Sequence, residues 1–561
     1  MITVADYITK FLIQEKVEYV FGFQGGAILK ILDSMISSGK IEYIQNYHEQ
    51  ASSFCADSYS RITHNIGVAI ATSGPGATNL INGIANAYFD SIPCLFITGQ
   101  DYVQNIQKPE SVRQNGFQDL DIVNMVKPIT KYATTIFEPN KIRYELEKAF
   151  YFAKSGRPGS VVLDIPIDVQ FKEVDEEKLE SFTPPIYDYE IDKIKDIIPL
   201  LQNAKRPVIL AGGALQNSNL EEKFKKLVEK IDIPVVSTLN GIDSYKKSFS
   251  FAGLHGNTHS NLIMNNADFI LILGSRLGLR QISKNPDTYN IKNAKIVHVD
   301  IDSAEHGRKI VPEISILCDL KSFFNEFNKL IKNESFPKWM EWKLQLDIWK
   351  EKYSKNVELN RDGIDPVKFV RVVSGFFEND AIITADVGQN QMWVAQGIKI
   401  KGTQRLLNSS GFGSMGYSLP ASIGALFGSK GKKQIISFNG DGGFQMNLQE
   451  LLLISKKQLD IKIIVFNNNT LGMMREVQKR YFNEHYYGAD EKDFQCVDLK
   501  KLSKAYDLKY YNVSKEKHIA KLEKILKKKE AYIIDVSLSK DSLLLNKYDE
   551  SKIFEENILD D

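Results

Sequence analysis

The chain reads as an α/β protein of three doubly wound parallel-sheet domains. Short β-branched apolar runs alternate with helical patterns over almost the whole length, and polar stretches interrupt that alternation twice. At 561 residues the chain also exceeds what one hydrophobic core serves.

In the first block, strands are read at 19–22, 43–45, 68–71, 94–97 and 161–164, with helical spacing between them. The run 172–190, acidic and containing Pro184-Pro185, reads as a linker. A second block has strands at 207–210, 269–273 and 296–299, then fades into the charged, Trp-bearing stretch 332–365. The third has strands at 381–384, 435–439, 461–466 and 531–536. The expected domain limits are therefore 1–170, 190–330 and 366–540. Segments 67–99 and 433–468 echo each other as strand, Gly-rich turn, helix, strand. The polar tail 539–561 is expected to be a closing flap or disordered.

Composition removes several classes of function. The 71 basic and 70 acidic side chains leave a formal net charge of +1, which gives no electrostatic case for nucleic acid or an anionic membrane. No apolar run reaches the roughly 18 residues of a membrane span. Met1 to Asp6 show no signal-like segment, so a cytoplasmic protein is expected. Cys55, Cys94, Cys318 and Cys496 are scattered without metal-type spacing and are expected to be reduced.

The most informative strings are Gly440-Asp441-Gly442-Gly443 and Asn467-Asn468, each at the tip of an apolar strand, with one predicted helix, 444–459, between them. Strand, turn, helix, strand puts both tips on one sheet edge, where α/β folds bind ligands. Either string alone is usually a turn or a cap. Together they supply what a magnesium ion shared with a diphosphate requires: the Asp441 carboxylate, the Asn468 amide oxygen and the Thr470 backbone carbonyl. Gly440, Gly442 and Gly443 let the backbone approach the phosphates, and the following helix turns its N-terminal dipole toward them.

This pairing resembles the cofactor motif of the thiamine-diphosphate enzyme superfamily, and the chain is most similar within it to the acetolactate synthase family. The resemblance spans about residues 1–540. It implies a pyrimidine-binding first domain, a central nucleotide-binding-like domain and a diphosphate-binding third domain. Tyr47-His48-Glu49-Gln50 matches the string whose Glu hydrogen-bonds the aminopyrimidine nitrogen, which makes Glu49 the catalytic carboxylate. That role needs a dry carboxyl able to share a proton. His48 has no evident acid–base partner and reads as structural. Thr72 to Asn79 matches a small-residue loop near the pyrimidine. The glycine loop around Gly26 and the pair Phe117-Gln118 resemble segments bordering the reacting carbons and lining the substrate pocket. Gln24 stands where a proline is usual.

In the third block, Gly388-Gln389-Asn390 resembles the diphosphate loop, with Asn390 where many relatives carry His. Gly413 and Met415 resemble the carbonyl acceptor and the apolar wedge that hold the cofactor bent. Gly472 and Met473 complete the cofactor set. In the central block, Gly212-Gly213, His255-Gly256, Gly274 with Arg276 and Arg280, and Asp300 with Asp302 match strings that bind FAD in relatives.

The resemblance implies a carboligase that decarboxylates a 2-oxo acid, with pyruvate as expected donor, and adds the two-carbon unit to a carbonyl acceptor. It also implies a homo-oligomer with active sites between subunits, and a possible regulatory subunit. Two positions depart from the family: Ile167 replaces a usual Lys, and Val477 stands where a pocket Trp is expected. Losing that ring enlarges the acceptor side, so a keto-sugar acceptor in polysaccharide biosynthesis is a second reading. Simple decarboxylation and a non-catalytic cofactor-binding scaffold are the others.

Overall fold

The computed structural model describes residues 1–109, 111–185, 189–283, 285–286, 289, 292–355, 363–542 and 544. Three separate parallel sheets carry the fold, as the alternation predicts. The first contains β2 (Tyr19–Phe23), β3 (Glu42–Gln45), β4 (Gly67–Ala71), β5 (Cys94–Gln100), β6 (Tyr132–Thr135) and β7 (Ser160–Pro166), in the order β3-β2-β4-β5-β7-β6. A short antiparallel pair, β1 (Ile2–Thr3) with β8 (Glu173–Val174), ties the start of this domain to its end. Its central strands β4, β5 and β7 are buried throughout and mostly apolar, because helices cover both faces, and the polar Thr98 and Gln100 of β5 are bonded to Asp164 of β7.

The second sheet holds β9 (Pro207–Ala211), β10 (Val235–Ser237), β11 (Phe269–Leu273), β12 (Lys295–Asp300) and β13 (Ile314–Leu317), ordered β10-β9-β11-β12-β13. This is the flavodoxin-like arrangement. The stretch read as a charged fade-out forms the helix Met340–Lys355, whose Trp342, Leu346 and Trp349 close the second core. The Trp339 and Trp342 indoles donate to the carbonyls of Ala204 and Pro207 at 2.8 and 3.1 Å, which fastens this helix to the start of β9.

The third sheet holds β14 (Ile382–Ala385), β15 (Arg405–Asn408), β16 (Ile435–Gly440), β17 (Ile461–Asn467), β18 (Lys509–Val513) and β19 (Tyr532–Ser537), ordered β15-β14-β16-β17-β19-β18. Numbered within its own domain, this order is identical to that of the first sheet. The echo noticed between 67–99 and 433–468 thus extends to the whole topology. The helix expected at 444–459 is interrupted: Asp441–Phe444 is a short helix, Gln445–Asn447 a 3-10 turn, and Glu450–Lys456 a second helix. Asn447, where the helix breaks, turns its side chain to donate to the distant Gly416 carbonyl at 2.7 Å. Most of the tail 539–561 lies outside the described residues.

The first and third domains meet through two helices, Glu49–Thr63 and Ser418–Gly428. A methyl group built on Gly424 would lie 2.1 Å from the Cys55 carbonyl oxygen, so the two backbones are nearly in contact. This explains why the first of these helices is buried although most of its residues are polar. Its charges are resolved internally. Arg61 Nε donates to Asp57 Oδ1 at 2.7 Å and Arg61 Nη2 to Asp90 Oδ2 at 3.2 Å, while Tyr417 OH donates to Asp57 Oδ1 at 2.8 Å. Arg405 then bonds the Arg61 carbonyl at 3.0 Å and Asp243 Oδ2 at 2.9 Å, carrying the network into the second domain.

Removing one partner of a buried ionic cluster leaves the others uncompensated. Arg61→Met is accordingly expected to destabilise the protein by about 3–5 kcal/mol, read from urea denaturation. A loss below about 1 kcal/mol would show that the cluster does not hold the interface.

Candidate active site

In the third domain the carboxyl ends of three neighbouring strands converge. β14 runs into Asp386 to Asn390, β16 into Gly440-Asp441, and β17 into Asn468 to Thr470. Sheet order reverses between β14 and β16, the position where open α/β sheets form a ligand crevice. Gly388 has φ +129°, a conformation that favours glycine, and leads into the helix Gln389–Gly397.

Asp441 is buried, and its Oδ1 and Oδ2 accept from the backbone N–H groups of Gly442 at 2.8 Å and Asn469 at 2.6 Å. Burial pushes its carboxyl up to about 7 against the pull of those donors. With the Asn468 amide oxygen turned inward, it lies 3.0 Å from the Thr470 carbonyl oxygen and 3.3 Å from Asp441 Oδ2. The opposite amide orientation would make two N–H bonds instead. Oxygens about 2.1 Å from an octahedral magnesium sit about 3.0 Å apart along each edge, so the inward orientation matches half of such a shell. The Thr470 hydroxyl donates to the Ala489 carbonyl, which leaves the Thr470 backbone oxygen to face the site. Among the described residues no group of three His, Cys, Asp or Glu could hold a metal, so this mixed set stands apart from a transition-metal site.

The loop predicted to cover the pyrimidine is organised by a residue that sequence reading missed. Asp386 is fully buried and accepts from Val387 N at 2.7 Å, Gly416 N at 2.9 Å and Ser418 N at 3.3 Å. A carboxylate ending an apolar strand just before Gly388 was the available signal. Met415 reaches toward Gly442, where a built methyl would be 3.4 Å from Met415 Cε, and Gly413 has φ +79°. From the same chain's first domain, Asn82 accepts from Ser414 Oγ at 2.6 Å and Asp90 from Gly411 N at 2.7 Å.

Other predicted third-domain residues have different surroundings. Asn390 spends its amide N–H on the Asp386 carbonyl at 2.8 Å. Gln389 keeps a buried, unpartnered Oε1, against which the Gly472 backbone is pressed. Met473 packs against the domain core. Gly443 abuts the Asp386 carboxyl, and Gly440 makes only ordinary contact, with Asn390.

At the equivalent edge of the first sheet, Glu49 is 6% exposed and opens the helix Glu49–Thr63. Its Oε2 accepts from Asn79 Nδ2 at 2.9 Å. A methyl built on Gly76 would sit 3.1 Å from Oε1, so glycine there keeps that oxygen clear. His48 is the N-cap, accepting from Gln50 N at 3.1 Å, in keeping with a structural role. Gln118, at φ +61°, lies against Gly74 on this edge, and Gly26 faces open space. Phe117 is 83% exposed.

A separate cavity of about 960 Å³ lies where the three domains meet. Gly213, Gly274, Arg276, Arg280 and Asp300 line it, together with Asp90 and Gly411. Among the described residues no carboxylate lies within ion-pair distance of Arg276 or Arg280. Enclosure by protein pulls the Arg280 guanidinium below its ordinary value. Burial pushes the Asp300 carboxyl up. Gly212 packs directly on the Gly274 carbonyl beneath the cavity. His255 and Gly256 are not among the lining residues, and the Asp302 carboxylate is engaged by Ala304 N and by Arg157, each at 3.0 Å.

Residues 2–125 match the sequence family described as thiamine pyrophosphate enzyme, N-terminal TPP binding domain. Residues 194–327 match the central domain of the same enzymes, and 386–536 the C-terminal TPP binding domain. The chain is 37% identical to the acetolactate synthase large subunit of Lactococcus lactis subsp. lactis (strain IL1403) over 541 residues, covering 94% of this chain and 91% of that protein. It is 34% identical over 548 residues to the acetolactate synthase large subunit of Cyanidium caldarium, covering 93% and 91%. It is 33% identical over 551 residues to acetolactate synthase 2, chloroplastic, of Nicotiana tabacum, covering 95% and 81%.

Proposed function

The chain belongs to the acetolactate synthase large-subunit family of thiamine pyrophosphate enzymes, and on that premise we propose a magnesium-dependent carboligase that decarboxylates pyruvate and joins the two-carbon unit to the carbonyl of a second 2-oxo acid. The observation that carries the magnesium reading is the convergence of the Asn468 side-chain amide on the Thr470 carbonyl at 3.0 Å and on Asp441 Oδ2 at 3.3 Å, a cluster that would present three oxygens to a cation with the amide turned oxygen-inward.

Thiamine diphosphate, when bound, supplies the carbon nucleophile and the electron sink. Gly388 and the N-terminus of the helix Gln389–Gly397 receive the diphosphate beside the magnesium ligands. Glu49, with Oε2 fixed by Asn79, shares a proton through Oε1 with the pyrimidine ring nitrogen. Met415 supplies an apolar wedge and the Gly413 carbonyl a hydrogen-bond acceptor for the pyrimidine amino group. Gly26 and Gln118 border the donor.

A keto-sugar acceptor is the second reading. Val477, 36% exposed on the helix Gly472–Tyr481, stands where the family resemblance expects a pocket Trp, whose loss would widen the acceptor side, and Ile167 removes an expected positive charge. Large apolar residues left exposed near the two edges, Phe117, Met474 and Tyr481, support a homo-oligomer whose sites lie between subunits. The words "large subunit" in the relatives' names support a regulatory partner. The cavity, lined by two guanidinium groups with no carboxylate at ion-pair distance among the described residues, suits a diphosphate-bearing dinucleotide, for which we favour FAD. Four free, buried cysteines fit a cytoplasmic protein, and among the described residues no helix is long and apolar enough to cross a membrane. For the domains we propose 1–170 and 366–540 as expected, and extend the central one from 190–330 to 190–355, because the helix Met340–Lys355 packs into its core.

Glu49→Gln is expected to lower carbon dioxide release from pyruvate by roughly a hundredfold or more while leaving cofactor affinity within a few-fold. An unchanged rate would remove Glu49 from the chemistry. Calorimetric titration should show thiamine diphosphate binding that EDTA abolishes and Asp441→Ala weakens at least about tenfold. Binding indifferent to both treatments would contradict the metal assignment. Product analysis with pyruvate alone and with added keto-sugars separates the two acceptors. A visible flavin spectrum of the purified protein is expected, and its reduction in an Arg280→Ala variant would tie the flavin to the cavity.

A further inference from the structure

One buried carboxylate outside the sites described above crosses between domains. Glu450, the first residue of the helix Glu450–Lys456, is 0% exposed. Its Oε2 accepts from Asn46 Nδ2 at 2.9 Å and its Oε1 from Tyr47 N at 2.9 Å. No cation is paired with it among the described residues, and burial together with the charge of Glu450 pushes the Cys55 thiol well above its ordinary value. A carboxylate in so dry a place is costly unless its hydrogen bonds are met. Here both donors, Asn46 and Tyr47, come from the stretch that leads into Glu49. The amide oxygen of Asn46 has no partner, so on the polar side that residue is oriented by Glu450 and by a long contact of its Nδ2 to Cys55 Sγ at 3.5 Å.

We propose that Glu450 is a positioning residue for Glu49: from the third domain it fixes the loop Asn46 to His48, and through that loop the height and direction of the Glu49 carboxyl. The proposal rests on Glu49 being the proton-sharing group. Asp441 and Glu450 belong to one segment, so the stretch that supplies the metal ligand also holds, in the first domain of the same chain, the acid that works on the other end of a cofactor. Partners that orient a reacting group rather than touch it typically matter by roughly ten- to a hundredfold.

The test uses the full-length protein carrying Glu450→Gln, which keeps shape but turns an N–H group toward one of the loop donors. Three quantities are measured: amide hydrogen exchange of residues 46–49 in cofactor-free protein, hydrogen–deuterium exchange at the thiazolium C2 of added thiamine diphosphate, and kcat against KM for pyruvate. Expected are roughly tenfold faster loop exchange, a drop of roughly tenfold or more in C2 exchange and kcat, and KM and cofactor affinity within about threefold of the parent. A merely structural role would move affinity and kcat together. C2 exchange within about twofold of the parent overturns the proposal. If Glu450→Gln does not fold, Asn46→Ala carries the same test, with the same drop in C2 exchange expected and an unchanged value overturning it. A parent protein that itself fails to accelerate C2 exchange would instead sink the reading of Glu49 on which the proposal stands.

Discussion

The close crossing of the helices Glu49–Thr63 and Ser418–Gly428 is the constraint on which the rest depends. It demands small residues at the contact, and the chain supplies Ala51, Cys55, Ala421, Ser422 and Gly424, all buried. So close a backbone approach leaves no room for water, and every polar side chain trapped there must find a protein partner. Arg61, Asp57, Asp90 and Tyr417 do so among themselves. The same geometry delivers Glu49 to one side of the interface and the loop bearing Gly413 and Met415 to the other. Stability and site assembly are therefore one problem.

Much of this was legible in the sequence because parallel strands advertise themselves. Fully buried strands such as β4 and β17 appear as short β-branched runs with turn residues at their tips, and ligands gather at those tips for topological reasons. Asp441 lies on one strand tip and Asn468 and Thr470 follow the next, and the adjacent parallel strands bring the three together. The helix expected at 444–459 broke because Asn447 prefers the Gly416 carbonyl, a partner far away in the chain. Asp386 and Glu450 were missed for the same reason. Their hydrogen bonds join residues whose proximity only the folded chain creates, and nothing local marks a Glu in Gln449-Glu450-Leu451 as the anchor of Asn46. Of the dinucleotide strings, Gly213, Gly274 and both arginines reached the cavity, while Gly212 and Gly256 do not line it. Nor does Asp302, since a helix cap and Arg157 claim its oxygens.

The two sheets with equal strand order have diverged in what their edges carry. One presents a single carboxylate with a clear oxygen, suited to moving a proton. The other presents a ring of oxygens and a helix N-terminus, suited to holding a charged tail. Because both edges lie at the same kind of sheet reversal, a ligand with a heteroaromatic head and an anionic tail can be gripped at both ends without either domain changing its architecture.

The cavity where the three domains meet draws its wall from each of them, and Asp90 belongs at once to that wall, to the Arg61 cluster and to the loop at Gly411. Whatever occupies that hollow acts as mortar between three bricks. Its binding free energy adds by mass action to the resistance of the whole assembly against melting, so an occupant that never exchanges an electron would still be retained for the rigidity it lends.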